Sequence, residues 1–253
     1  MKKWMKRFVV VITSLVIYLM YIPFAFAKSV TGNKLFSRPE NPVSGSPAHS
    51  SGFMPEIKSI YDSLHLQLNG LSQQAYDCAK KGLEKLIEQG RVINDSIVSI
   101  VDYSQPSSMK RLYVLDLKNY KLLFNTLVAH GRNSGLESAH SFSNQPSSYK
   151  SSPGFYITGE TYKGRHGYSL KLEGIEKGIN DNADERAIVM HGANYVNESL
   201  ASTRGYIGRS QGCPAVPEKI ATPIISTIKN GTCLFIYAPN PNYLQYSPIL
   251  SRS

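Results

Sequence analysis

A mainly β chain of the α+β kind, strand-rich with an N-terminal helix packed on the strands, is what three features of these 253 residues point to. Between residues 71 and 90 the apolar residues follow helical spacing. After residue 90 they come instead in short runs, several rich in Val, Ile, Phe and Tyr. Between those runs stand Gly, Pro, Asn and Ser, the residues that make turns.

The helix has a start and a stop. Ser72 is a good N-cap, Leu71 and Tyr76 are placed to form a hydrophobic staple, and Ala75, Cys78, Ala79, Leu83, Leu86 and Ile87 fall on one face before Gly90 ends it. The expected strands are Ile97–Val101, Leu112–Leu117, Leu122–Ala129, Phe155–Thr158, Tyr168–Leu172, Ala187–Met190 and Cys233–Tyr237. Lys118-Asn119-Tyr120 reads as a hairpin connection.

Ahead of this body, Lys2, Lys3, Lys6 and Arg7 precede an apolar stretch from Phe8 to Ile22, and Ala25-Phe26-Ala27 offers a small-x-small cleavage site. Residues 1–27 therefore read as a secretory signal peptide. An uncleaved anchor is the alternative, since the stretch approaches the ~20 residues that span a bilayer. Residues 28–52, rich in Ser, Pro, Gly and Asn, read as a flexible linker. Residues 53–253 are long enough for one domain with a substantial core, and they show no internal repeat. The expected location is periplasmic or secreted, associated with the cell envelope.

The net charge of +10 falls to about +6 without residues 1–27, still basic. In an exported protein such a surface suits anionic wall polymer or lipid, or simply solubility. No Lys/Arg run with interleaved aromatics points to nucleic acid, contact with a membrane is expected only through a retained signal segment, and nothing in the chain signals an oligomeric state. Cys78, Cys213 and Cys233 are too few for a disulfide framework. Cys78 on the helix and Cys233 in an apolar run read as small core residues, with a Cys78–Cys233 bridge left open.

Cys213 has different surroundings. His191-Gly192 closes an apolar run, and Arg209-Ser210-Gln211-Gly212-Cys213-Pro214 follows across a polar loop. A thiol attacks as the thiolate, so it needs a base within hydrogen-bond reach, which His191 could supply. Gly212, without a Cβ, would let a substrate carbonyl approach the sulfur while amides of the same turn receive the oxyanion.

Val189-Met190-His191-Gly192, Ser210-Gln211-Gly212-Cys213 and the upstream Ser152-Pro153-Gly154-Phe155-Tyr156 occur in the order found in the murein L,D-transpeptidase catalytic-domain family, which the stretch from Leu71 to Pro239 resembles. The resemblance implies a fold of that family, Cys213 as acyl-accepting nucleophile, His191 as general base, oxyanion-binding amides at Gly212 and Cys213, and Ser210 as the residue that orders the turn. It implies peptidoglycan stem peptides as partners and no cofactor. Gln211 stands where the family usually has His, and Pro214-Ala215 follow the cysteine where Arg or Asn is common, which marks a divergent branch.

Four further residues are candidates for substrate binding. Arg209 could clamp a peptide carboxylate or be a solvated arginine. His166 could line the donor groove beside Tyr156 or be a loop histidine without a task, and Gly192 frees the backbone beside His191. The segment from His130 to Gly135 could rim the cleft or be a turn. A zinc site from His130, His166, His191 and Cys213 matches no compact ligand pattern, so no metal is expected. The reaction expected is amine-resolved acyl transfer. L,D-carboxypeptidase chemistry with water as acceptor and a non-catalytic cell-wall-binding module are its alternatives.

Overall fold

The computed structural model describes residues 57–251. The expected signal peptide and the linker lie outside the described residues. Eight strands form one sheet: β1 (Ile97–Asp102), β2 (Leu112–Asp116), β3 (Lys121–Thr126), β4 (Gly154–Gly164), β5 (Gly167–Gly174), β6 (Val189–Ala193), β7 (Ala215–Pro217) and β8 (Cys233–Tyr237), in the order β3-β2-β1-β8-β4-β5-β6-β7. Neighbours are antiparallel except β1 with β8 and β6 with β7. Among the described residues five helices accompany them: α1 (Ile57–Ser63), α2 (Gln73–Glu88), α3 (Glu198–Arg204), α4 (Glu218–Ile228) and α5 (Pro241–Tyr246). This strand-rich α+β architecture is the one the sequence leads one to expect.

Strand alternation divides the core between two helices. Along β8, Cys233, Phe235 and Tyr237 face α2, whereas Leu234 and Ile236 face α4. The α2 helix begins where expected: Ser72 accepts from the Ala75 amide at 3.2 Å, and its own amide donates to Asp102 at the end of β1. Leu71 and Tyr76 are both buried. Gly82 lets α2 lie close on the sheet, because a Cβ there would stand 1.9 Å from Phe155 Cζ. Gly90, at φ +65°, follows the last turn.

The opposite face is covered by α4 through Ala221, Ile224, Ile225 and Ile228. Sequence pattern gave no helix here. Pro223 lies inside it, and a mid-helix proline with neighbouring β-branched residues argues against a helix on local grounds; burial of four side chains outweighs that local preference.

At the other end, Glu176 is fully buried and ties the C-terminal segment to the start of β4. Its carboxylate accepts from the Phe155 amide at 2.7 Å, from the Tyr243 hydroxyl at 3.2 Å and from the Ser247 hydroxyl. Burial raises its pKa. The three cysteines are free thiols, with Cys233 buried and Cys78 half-buried against the α2 core, so the Cys78–Cys233 bridge is not formed.

Three departures from the expected strands matter for the site. The β4 strand runs on through a bulge to Gly164, which carries the β4–β5 hairpin tip out over the sheet. The extension is polar and exposed, so apolar alternation could not reveal it. The β6 strand begins at Val189 and ends at Ala193, which puts His191 and Gly192 within the strand rather than beyond it. The short β7 directly after Cys213 was not expected at all.

Candidate active site

The β6–β7 ladder places the central residues. His191 pairs with Ala215 in parallel register, so the turn that holds Cys213, just before β7, lies beside the start of β6, with the Val189 amide next to the thiol. His191 and Cys213 both line one open cleft of about 620 Å³. Among the described residues no hydrogen bond joins the two side chains; the thiol's nearest acceptor is the Ala187 carbonyl at 3.7 Å. The close thiol–imidazole contact expected from sequence is not made in this arrangement.

The turn carrying Cys213 is pinned from both sides. The Ser210 amide donates to the His130 carbonyl at 2.9 Å, and the Arg132 amide donates to the Ser210 carbonyl at 2.8 Å. The Ser210 hydroxyl donates to the Cys213 carbonyl at 2.7 Å and accepts from the Gly212 amide at 3.0 Å. From the other side the Ser151 hydroxyl donates to the Gly212 carbonyl at 3.2 Å. Gly212 adopts φ +129°, and a Cβ on it would meet the Lys150 carbonyl and Ile188 Cδ1, each at 2.9 Å. Glycine is required there by backbone and by space. One expectation is corrected: the Gly212 amide is committed to Ser210, so it is not a free oxyanion donor.

His191 is buried, and its Nδ1 lies 2.9 Å from the Gly192 carbonyl. A carbonyl only accepts, so Nδ1 carries the proton and Nε2 keeps its lone pair. Burial lowers the pKa of His191, the nearby His166 lowers it further, and the Gly192 carbonyl works the other way. The His166 ring stacks on it with centroids 4.3 Å apart and planes 21° from parallel. Burial raises the Cys213 pKa, opposed by the Val189 amide, Arg186 and its own amide. The pair is thus held as neutral thiol and neutral imidazole rather than as an ion pair.

The remaining candidates divide. Arg209 and His166 line the cleft. Gly192 lies behind it, packed so closely on α4 that a Cβ would come within 2.9 Å of Ala221 Cβ. Tyr156 is a correction: alternation on β4 turns it into the α4-side core, where it is 1% exposed and donates to the Ser152 carbonyl. His130 does not rim the cleft either. It is fully buried, with Arg111 Nη2 2.7 Å from its Nδ1 and the Gly135 carbonyl 3.2 Å from its Nε2. Among the described residues no group of three or more His, Cys, Asp or Glu side chains could hold a metal ion.

Arg186 is a cleft residue that sequence pattern did not single out. Its guanidinium donates to the Ser143 carbonyl at 2.9 Å, the Ser152 hydroxyl at 2.5 Å, the Ser148 hydroxyl at 3.3 Å and the Lys150 carbonyl at 2.6 Å, which fixes a positive charge beside the thiol. Asp184-Glu185-Arg186 reads in sequence as a solvated charged turn, and its four acceptors all come from 143–152, too distant along the chain to be foreseen. Tyr149 and Tyr195 complete the walls.

A family model described as L,D-transpeptidase catalytic domain matches residues 67–237. Among solved structures, the chain is similar to an L,D-transpeptidase from Mycobacterium smegmatis, at 10% identity over 56% of this chain and 59% of that one, with a TM-score of 0.35. It is also similar to the helical cell shape determining protein of Campylobacter jejuni, at 11% identity over 57% of this chain and 48% of that one (TM-score 0.38). A third is an L,D-transpeptidase from Stackebrandtia nassauensis, at 14% identity over 73% of this chain and 77% of that one (TM-score 0.35). The match thus spans less than two thirds of the length of the first two relatives. No curated protein sequence matches the chain.

Proposed function

This chain belongs to the L,D-transpeptidase catalytic-domain family, and we propose that its cleft performs cysteine-dependent acyl transfer on peptidoglycan stem peptides. The observation that carries this reading is the shared cleft: a half-buried thiol on the turn before β7 and an imidazole with a free Nε2 on β6, opening into about 620 Å³.

In the proposed cycle Cys213 Sγ attacks the carbonyl that precedes the terminal D-residue, and its proton passes to His191 Nε2. The C–N bond breaks, the departing amine takes that proton, and a thioester remains on Cys213. An acceptor amine then attacks the thioester, His191 removes its proton, a new amide forms and the sulfur regains its proton. The neutral starting pair fits a base that works during attack. The thiol would have to exchange the Ala187 carbonyl for Nε2, and apo sites often tighten such contacts only with substrate. His166, stacked over His191, holds the imidazole plane. Arg186 places positive charge where sulfur becomes anionic and the carbonyl oxygen gains charge. Ser210 and Gly212 hold the turn.

The proposal extends to the chain's organisation: residues 1–27 as an export signal, 28–52 as a tether, 53–253 as the catalytic domain, acting at the cell envelope. Among the described residues no helix is long and apolar enough to cross a membrane.

Mass spectrometry of muropeptides incubated with the protein tests the reading. Amine-linked products that vanish with Cys213→Ala support it. Shortened stems alone would replace transpeptidase by L,D-carboxypeptidase, and wall binding without any product would indicate a non-catalytic module.

A further inference from the structure

Four guanidiniums, those of Arg132, Arg165, Arg186 and Arg209, line the cleft around Cys213, against one carboxylate, Glu185. The ion pairs among the described residues are Arg91–Glu173, Lys110–Glu198 and Lys171–Glu160, none of which involves these groups. These side chains therefore leave the cleft with an excess of positive charge, and an anion entering it relieves repulsion as well as gaining attraction.

The four differ in what they can offer. Arg186 uses both terminal nitrogens on the protein and acts as a fixed charge. Arg209 uses only Nη1, which donates to the carbonyls of Arg132 at 3.0 Å and Gly135 at 3.1 Å. That leaves its Nε–Nη2 edge, two parallel N–H groups matched to the two oxygens of a carboxylate. Arg132 sits over Tyr149, its guanidinium carbon 4.0 Å from the ring centroid. Stacking covers a face and holds the plane, while the hydrogen-bonding edges stay open. The two forks are coupled, because Arg209 grips the backbone of Arg132 itself.

We infer that Arg132 and Arg209 form a double carboxylate clamp, so that the acyl donor is a peptide bearing two free carboxylates and its carboxamide counterparts are discriminated against. This rests on the acyl-transfer reading above and names the donor class for that site. A carboxamide fits each fork poorly: its NH₂ turns donors toward donors, and it brings no charge to a cleft that holds four cations. Arg165, exposed on the hairpin tip, adds long-range attraction that salt would screen.

The test follows Cys213 acylation by intact mass for three synthetic tetrapeptide donors that differ only in having two, one or no free carboxylates outside the scissile bond. The expected result is a fall in kcat/KM of about tenfold or more for each carboxylate converted to carboxamide, charge-assisted bonds being the strong ones. The preference should shrink at least severalfold in Arg132→Gln and in Arg209→Gln. Arg132→Gln is the cleaner variant, since among the described residues its guanidinium makes no hydrogen bond or ion pair and sits over Tyr149; a native melting transition checks its fold. Equal acylation of all three donors by the wild-type protein would overturn the clamp and leave acyl transfer standing. A preference that persists unchanged in both variants would also overturn it. Acylation by none of the donors would sink the acyl-transfer reading and the clamp with it.

Discussion

Gly212→Ala should damage the site through the backbone rather than through chemistry. At φ +129° an L-residue is strained, at a cost of about 1–3 kcal/mol. The new Cβ would also stand 2.9 Å from the Lys150 carbonyl, 2.9 Å from Ile188 Cδ1 and 3.3 Å from Arg186 Nη2, and overpacking of this kind costs about 1–3 kcal/mol more. If the turn keeps its shape, the two add to about 2–6 kcal/mol, a drop in melting temperature of roughly 4–24 °C for a domain of this size. If the turn moves instead, it loses the bonds linking Ser210, Gly212, Cys213 and Ser151, and a displacement of about 1 Å can lower a reaction rate on the order of 100-fold. Calorimetry and the rate of Cys213 acylation, measured on one preparation, read both branches. A variant that melts like the parent and acylates at the parent's rate would refute the account of this turn.

Other consequences can be measured independently. His130 is held neutral by burial and by Arg111, its pKa lowered from 6.5 to about 4. The unfolded chain therefore binds a proton that the folded one refuses, so stability is full above about pH 6.5 and falls by about 3 kcal/mol as pH drops through 4. Urea titrations should show that slope and a shallower one in His130→Asn; identical slopes would exclude His130 as its source. Glu176→Gln replaces one of the two accepting oxygens by an NH₂ that faces at least one of the three buried donors and should destabilise the fold by about 2–4 kcal/mol, whereas denaturation midpoints within error of the parent's would contradict that network. In His166→Ala the imidazole of His191 gains solvent and loses the neighbour that helps lower its pKa, so the acidic limb of the pH–acylation profile should move upward. An unmoved limb would remove His166 from the tuning of His191.

How much of this was legible in the sequence depended on whether a feature is local. The α2 helix announced itself because its cap, staple and stop are all within 20 residues of one another. His191 and Cys213 stood out by residue type and by flanking glycines, and they do line one cleft. Tyr156 was misplaced because sequence gives alternation but not which face of a two-sided sheet meets the cleft. Both faces here are core, one under α2 and one under α4, so an aromatic next to the Pro-Gly corner is buried either way. The α4 helix was hidden by Pro223, and β7 by its length. Arg186 and the Arg132–Tyr149 stack were unreadable because each depends on loops that only the fold brings together.

The account stands or falls on His191 acting as base toward Cys213 across the shared cleft. The direct measurement is the second-order rate of Cys213 acylation by a tetrapeptide donor in the parent protein, in Cys213→Ala and in His191→Ala, with folding verified for each. The account predicts no adduct without the thiol, and a loss of ~100-fold or more without the imidazole. An adduct that survives Cys213→Ala, or a rate unchanged in His191→Ala, would contradict it.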